Sequence, residues 1–251
     1  MSVLSILSAL PDFLPAEASA FTRSLCESAE LTANVVPTSL PETLPEAAQM
    51  LLALYGSFAK VLEKRQIASI AAEKRLKSWG VWEQYSREDL PITLERALQP
   101  LRGIVTAFPA IETDLREGRV PQNIVFRSAW HFFCFRYGHR GLYEGDIAVS
   151  RFRETPQKTF AQALALAPLR KYDDEFPNTP KTSWKSRLLS QQWNRYAAEQ
   201  HEIELLRSET MKRSFAIRLA MLEQASDLVR TGRLENTDAL WNYSIDDLVK
   251  L

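Results

Sequence analysis

Glycine is scarce in this chain, with eight in 251 residues. None of them is arranged as a phosphate-binding loop, so a glycine-rich nucleotide cradle is not expected. Cysteine is scarcer still. Cys26 and Cys134 stand far apart, without a CxxC pair or metal-ligand spacing, which excludes a disulfide framework and points to a reduced, cytoplasmic protein. Net charge is also missing: 31 Lys+Arg balance 31 Asp+Glu. That argues against a nucleic-acid binder driven by bulk charge. No apolar run reaches the length of a membrane span. The mildly apolar stretch from Met1 to Leu14 lacks a basic start and a small-residue cleavage site, so it reads as a first helix and not as a signal peptide.

What is present reads as all-α, a multi-helix bundle in one helical domain over residues 1–251. Pro37, Pro41 and Pro45 make the stretch from Val35 to Glu46 a connector. A long helix should follow, because Leu51, Leu54, Tyr55, Phe58, Val61 and Leu62 recur at helical spacing, continuing towards Trp79 and Gly80. Pro91 opens another, with Leu94, Leu98, Leu101 and Val105 on its apolar face. A short helical stretch covers Ile111 to Gly118. The next helix runs from Asn123 through Phe135 and ends at Gly138; one more spans Thr159 to Ala167, closed by Pro168. Lys171 to Pro180 is a charged loop. From Trp184 to Arg230 there is no Pro or Gly, which makes one very long helix or two in series, stopped by Gly232. Asp238 to Leu248 closes the chain with a short apolar-polar segment.

The densest chemistry lies in Tyr137-Gly138-His139-Arg140-Gly141-Leu142-Tyr143-Glu144-Gly145-Asp146-Ile147 and the following Arg151-Phe152-Arg153-Glu154-Thr155-Pro156. Its glycines suit sharp bends and close backbone approach. Its cations suit an anionic group. Two readings stand side by side. Arg140 and His139 can face an anionic acceptor, or Arg140 can pair with Glu144 or Asp146 and pin the turn. Glu144 and Asp146 can act as a base or hold a metal, or can join an ion-pair network with Arg140, Arg151 and Arg153. Downstream, Arg207, Lys212 and Arg213 accompany Glu204 and Glu209 at helical spacing, the pattern of a solvated, self-paired face. Trp130, Phe132, Phe133 and Phe135 read as core. His201 reads as a surface residue, His131 as partly buried.

Three ordered blocks resemble one family. The first is that turn. The second is the polar helix with Arg195, Ala198, Glu202, Arg207, Glu209 and Lys212, leading into Ile217, Leu219 and Leu222. The third is Leu228-x-x-Thr231-Gly232-x-Leu234-x-x-x-Asp238-Ala239-Leu240-Trp241, then Ile245-Asp246-Asp247-Leu248. Together they resemble the helical central region of phosphoenolpyruvate synthase-like phosphotransferases, a group that includes rifampin phosphotransferase. The likeness covers residues 123–251; residues 1–122 carry only helical character. It implies an acceptor-binding module, either a fragment or a subunit of a split, dikinase-type enzyme. ATP-grasp and phosphohistidine-carrying domains or subunits would be its partners, with a small-molecule acceptor and neither nucleic acid nor membrane. ATP and Mg2+ belong to the complete system, and no cofactor or metal is expected on this chain alone. None of His131, His139 and His201 matches the family's phosphohistidine segment. The resemblance gives His139, Arg140 and Glu144 catalytic positions and makes Asp146, Arg151, Arg153 and Lys212 acceptor-binding. A non-catalytic helical scaffold or regulatory subunit is the alternative.

Overall fold

The computed structural model describes residues 2–10, 12–31, 39–79, 94–165, 184–248 and 250. Every regular element among them is a helix, so the fold is all-α. The elements are α1 (Val3–Leu7), α2 (Ala20–Ser28), α3 (Leu44–Ser78), α4 (Leu94–Ala107), α5 (Glu112–Arg116), α6 (Ile124–Tyr137), α7 (Pro156–Ala165), α8 (Trp184–Arg230) and α9 (Ile245–Leu248). Short 3-10 turns occupy Pro109–Ile111 and Thr237–Asn242. Among the described residues no helix is long and apolar enough to cross a membrane.

Several boundaries differ from the sequence expectation for physical reasons. The first helix is only five residues long, and Asp12 adopts a left-handed φ of 51° soon after it. Helix α2, unforeseen, begins where the Ser19 side chain accepts the Thr22 amide. Helix α3 starts at Leu44, inside the expected connector. Pro45 is tolerated because first-turn amides have no helical partner. Thr43 caps the Glu46 amide at 3.3 Å and the Glu46 carboxylate accepts the Glu42 amide at 2.9 Å, a near capping box. Helix α8 is one continuous element of 47 residues. It stops where Gly232 takes a φ of 72° and the Arg233 amide reaches back to the Leu228 carbonyl. Helix α7 begins three residues before the expected start. Pro91, Pro168 and the loop from Lys171 to Pro180 lie outside the described residues.

The chain divides into two compact units. The first comprises Met1–Glu63, Gly138–Glu154 and Leu206–Leu251. Its core gathers Leu7, Phe13, Phe21 and Leu25 with Leu51, Tyr55 and Phe58 of α3 and Met211, Met221 and Ala225 of α8, all nearly inaccessible. Phe13 meets Phe58 at 5.6 Å between ring centroids, and Phe21 meets Trp241 edge-on at 5.9 Å. Helix α2 also packs on α1, on α9 and on the 237–242 turn.

The second unit comprises Lys64–Tyr137 and Thr155–Leu205. Here α4 packs against α6 and α7, and α5 against α7. Phe160 of α7 is flanked by Phe126 at 5.5 Å and Trp130 at 4.8 Å. Arg65 bridges Glu199 at 3.0 Å and Glu202 at 3.2 Å, and Gln200 donates to Ser69. These ion pairs are partly solvated and contribute roughly 0–1 kcal/mol each.

Candidate functional site

The polar turn, residues 138–154, lies wholly in the first unit. Two backbone hydrogen bonds tie its ends together: Arg153 donates to the Gly138 carbonyl at 3.1 Å and Phe152 to the Arg140 carbonyl at 2.8 Å. The segment after α1 anchors its middle. Tyr143 donates to the Asp12 carbonyl and Gly145 to the Phe13 carbonyl, at 3.0 and 2.7 Å. The left-handed residue of the turn is Tyr143, with a φ of 56°, and none of Gly138, Gly141 and Gly145 has a positive φ. The left-handed conformation thus falls on Tyr143, while the close backbone approach expected of the glycines is seen at Gly145. A Cβ on Gly145 would collide with the ring and carbonyl of Phe13. Gly145→Ala is expected to destabilise by about 1–3 kcal/mol through overpacking, read as a shifted urea midpoint.

Glu144 is completely buried and both carboxylate oxygens are engaged. One accepts Arg140 Nε at 2.6 Å and the Gly141 amide at 3.2 Å; the other accepts Arg207 Nε at 2.5 Å. Burial pushes its pKa up, but the two guanidinium groups outweigh burial and hold the carboxyl below the usual range. Arg207 also lies over the Phe13 ring, 5.2 Å from its centroid. The expected solvated face of α8 is thus real for Arg213 and Glu209, which pair in the open. It is not real for Arg207, which is 9% exposed and bound to Glu144.

Asp146 serves a different end. Its carboxylate accepts the Ser19 amide, the Ser19 hydroxyl and the Thr22 hydroxyl, each at 2.7 Å, and the Ala148 amide at 3.0 Å. It thereby fastens the turn to the start of α2, and Ile147 adds a bond to Thr22 Oγ1. Arg151 is fully buried and donates to the carbonyls of Asp146 and Val149. Glu154 accepts the Arg151 amide and lies 3.3 Å from Arg218 Nε. Arg218 also donates to the Ile147 carbonyl and stacks on Trp241 at 4.9 Å. Tyr55 donates to the Gly145 carbonyl at 2.9 Å, and burial raises its hydroxyl pKa.

His139 occupies the side of the turn that faces α8. Its Nε2 is 3.2 Å from the Ser208 hydroxyl. Burial, then the nearby charge of Arg140, and more weakly that of Lys212, push its pKa down to about 4, with Glu144 opposing. The imidazole is therefore neutral at pH 7. Lys212 follows Ser208 by one helical turn and is exposed, as is Arg153.

The depressed His139 pKa has a stability consequence. The unfolded chain takes up a proton at about pH 6.5, the folded chain only near pH 4. Stability is complete above the unfolded value and falls as pH drops from about 6.5 towards 4, by up to about 3 kcal/mol. Urea titrations at pH 7 and pH 5 should show this slope, and His139→Asn should flatten it.

The structure thus buries His139, Arg140, Glu144, Asp146 and Arg151 in one turn, in separate bonded groups, and leaves Arg153 and Lys212 on the surface. Their partners include Ser19, Thr22, Tyr55, Ser208 and Arg218, which the sequence does not single out. Only Ser19 carried a local signal, as a serine before an apolar helical segment. His201 is exposed, and so is His131, against expectation. Among the described residues no three His, Cys, Asp or Glu side chains gather as a metal site requires. No protein-family model matches this chain, and no curated protein matches it.

Proposed function

We propose that this chain is the acceptor-binding helical module of a phosphoenolpyruvate synthase-like phosphotransferase, receiving a phosphoryl group from a phosphohistidine on another domain or chain. The reading rests on the three sequence blocks and on one observation. A neutral His139 is fixed to α8 through Ser208 and stands beside the cations Arg140 and Lys212. A neutral imidazole can accept a proton from an acceptor hydroxyl or hydrogen-bond an enolate. Neighbouring cations offset charge that develops on the transferring group. In this reading His139, Lys212 and Arg153 meet the acceptor, while Arg140, Glu144, Asp146 and Arg151 hold the turn that presents His139. ATP and Mg2+ act on the partner modules.

The test mixes the chain with ATP-grasp and phosphohistidine proteins encoded beside it, adds ATP and Mg2+, and follows AMP release and acceptor phosphorylation. Turnover should depend on the chain and fall about tenfold or more in Lys212→Ala, the usual worth of one charge-assisted hydrogen bond. Lys212 is exposed, so the variant's circular dichroism should match the parent's. Turnover unchanged by omitting the chain overturns the proposal; turnover unchanged in both Lys212→Ala and His139→Gln removes these residues from it. A second reading, a non-catalytic scaffold or regulatory subunit, is favoured by the exposed apolar arc of α6.

A further inference from the structure

Helix α6 is apolar on two opposite faces. One packs inward through Phe126 and Phe133, with Trp130 stacked on Phe133 and edge-on to Phe160. The other is exposed: Ile124 at 79%, Val125 at 50%, Phe132 at 58% and Phe135 at 81%. At about 100° per residue, these four and Ser128 form an arc of roughly 100° along a helix about 20 Å long. A helix at a protein surface ordinarily turns polar groups outward, and two exposed phenylalanines side by side mark an interaction site.

The rim of the arc has one sign of charge. Arg136 borders one edge, its guanidinium 5.5 Å from the Phe132 ring centroid. Arg127 and the exposed His131 border the other. Helix α6 contains no acidic residue. Among the described residues no carboxylate pairs with Arg127 or Arg136, and Arg127 bonds only the Gln122 amide oxygen. An apolar stripe of helical width, fenced on both sides by cations, fits an amphipathic helix with carboxylates flanking its own apolar stripe. A second copy of α6 would set like charges against each other. A membrane surface calls for a denser basic cluster, about 4–8 Lys or Arg.

We infer that the exposed face of α6 docks an acidic amphipathic helix of a partner protein. This does not rest on the acceptor reading, because no residue of the polar turn takes part. The test selects binders to the full chain from a displayed library of helix-constrained peptides, then measures their affinity by fluorescence anisotropy. Enriched peptides should place apolar residues at i, i+3 or i+4, and i+7, with Glu or Asp on both flanks. Phe135→Ser should weaken them about tenfold or more. Arg127→Glu with Arg136→Glu should do the same, and Lys-for-Glu exchange in the peptide should restore binding. Both variants alter only surface side chains, so thermal unfolding should match the parent's. Neutral or basic enriched peptides, no enrichment, or binding indifferent to these variants would overturn the inference. So would Phe135-dependent flotation with phosphatidylserine vesicles, or Phe135-dependent self-association in sedimentation.

Discussion

Glu144→Ala should cost about 3–5 kcal/mol, the penalty for leaving buried charge without its partner. Two guanidinium groups converge on this one carboxylate, from Arg140 at 2% and Arg207 at 9% exposure. Both are largely withdrawn from water, Arg140 almost wholly. Against a total stability of about 5–15 kcal/mol, that loss is severe. Urea denaturation followed by circular dichroism would measure it. Removing Arg207 as well, in Glu144→Ala with Arg207→Met, should recover part of the loss, since fewer charges are then stranded. A change in Glu144→Ala below about 1 kcal/mol would mean that the pair is solvated, the typical worth of an exposed ion pair. The pH dependence separates this residue from His139. Glu144 has a lowered folded pKa, so its contribution is whole above its unfolded value, about pH 4.5, and is lost only as pH falls further. The His139 window lies above it.

Asp146→Ala is expected to lower stability by about 2–4 kcal/mol, because several donors lose their acceptor where water enters poorly. The Ser19 and Ala148 amides and the hydroxyls of Ser19 and Thr22 all point at this carboxylate. Asp146→Asn should recover only part, since one oxygen becomes an NH2 that faces the Ser19 amide. Hydrogen exchange would give the sharper readout. Amides at the start of α2 and in the 145–148 segment should lose protection together, while those of α4 and α7 keep theirs. Exchange spread evenly over the chain would refute a local fastening role.

The helical content was legible because scarce glycine and apolar residues at three-to-four spacing leave little room for strands, and Leu51 to Leu62 show the period plainly. The turn around residues 138–146 was legible too, because glycines and alternating charges interrupt that period. What remained hidden is where its charges go. Arg207 stands near Glu204 and Glu209 on the same helix, so local spacing assigns it a solvated pairing. Its actual partner, Glu144, is 63 residues away in sequence. Phe132 and Phe135 misled in the opposite sense. Periodicity cannot tell a core face from an outward one when both are aromatic. Nor does propensity single out Tyr143 as the left-handed residue of the turn, where its amide and that of Gly145 bond the Asp12 and Phe13 carbonyls.

Beside its local bonds, the turn is held by residues 12–22, by Tyr55 and by residues 207–218, partners that close loops of many tens of residues. Loop-closure entropy opposes such pairings until both ends are in place. The long-range part of the turn's bonding is therefore expected to form late: pulsed hydrogen exchange during refolding should show residues 143–147 gaining protection after the helices that flank the turn.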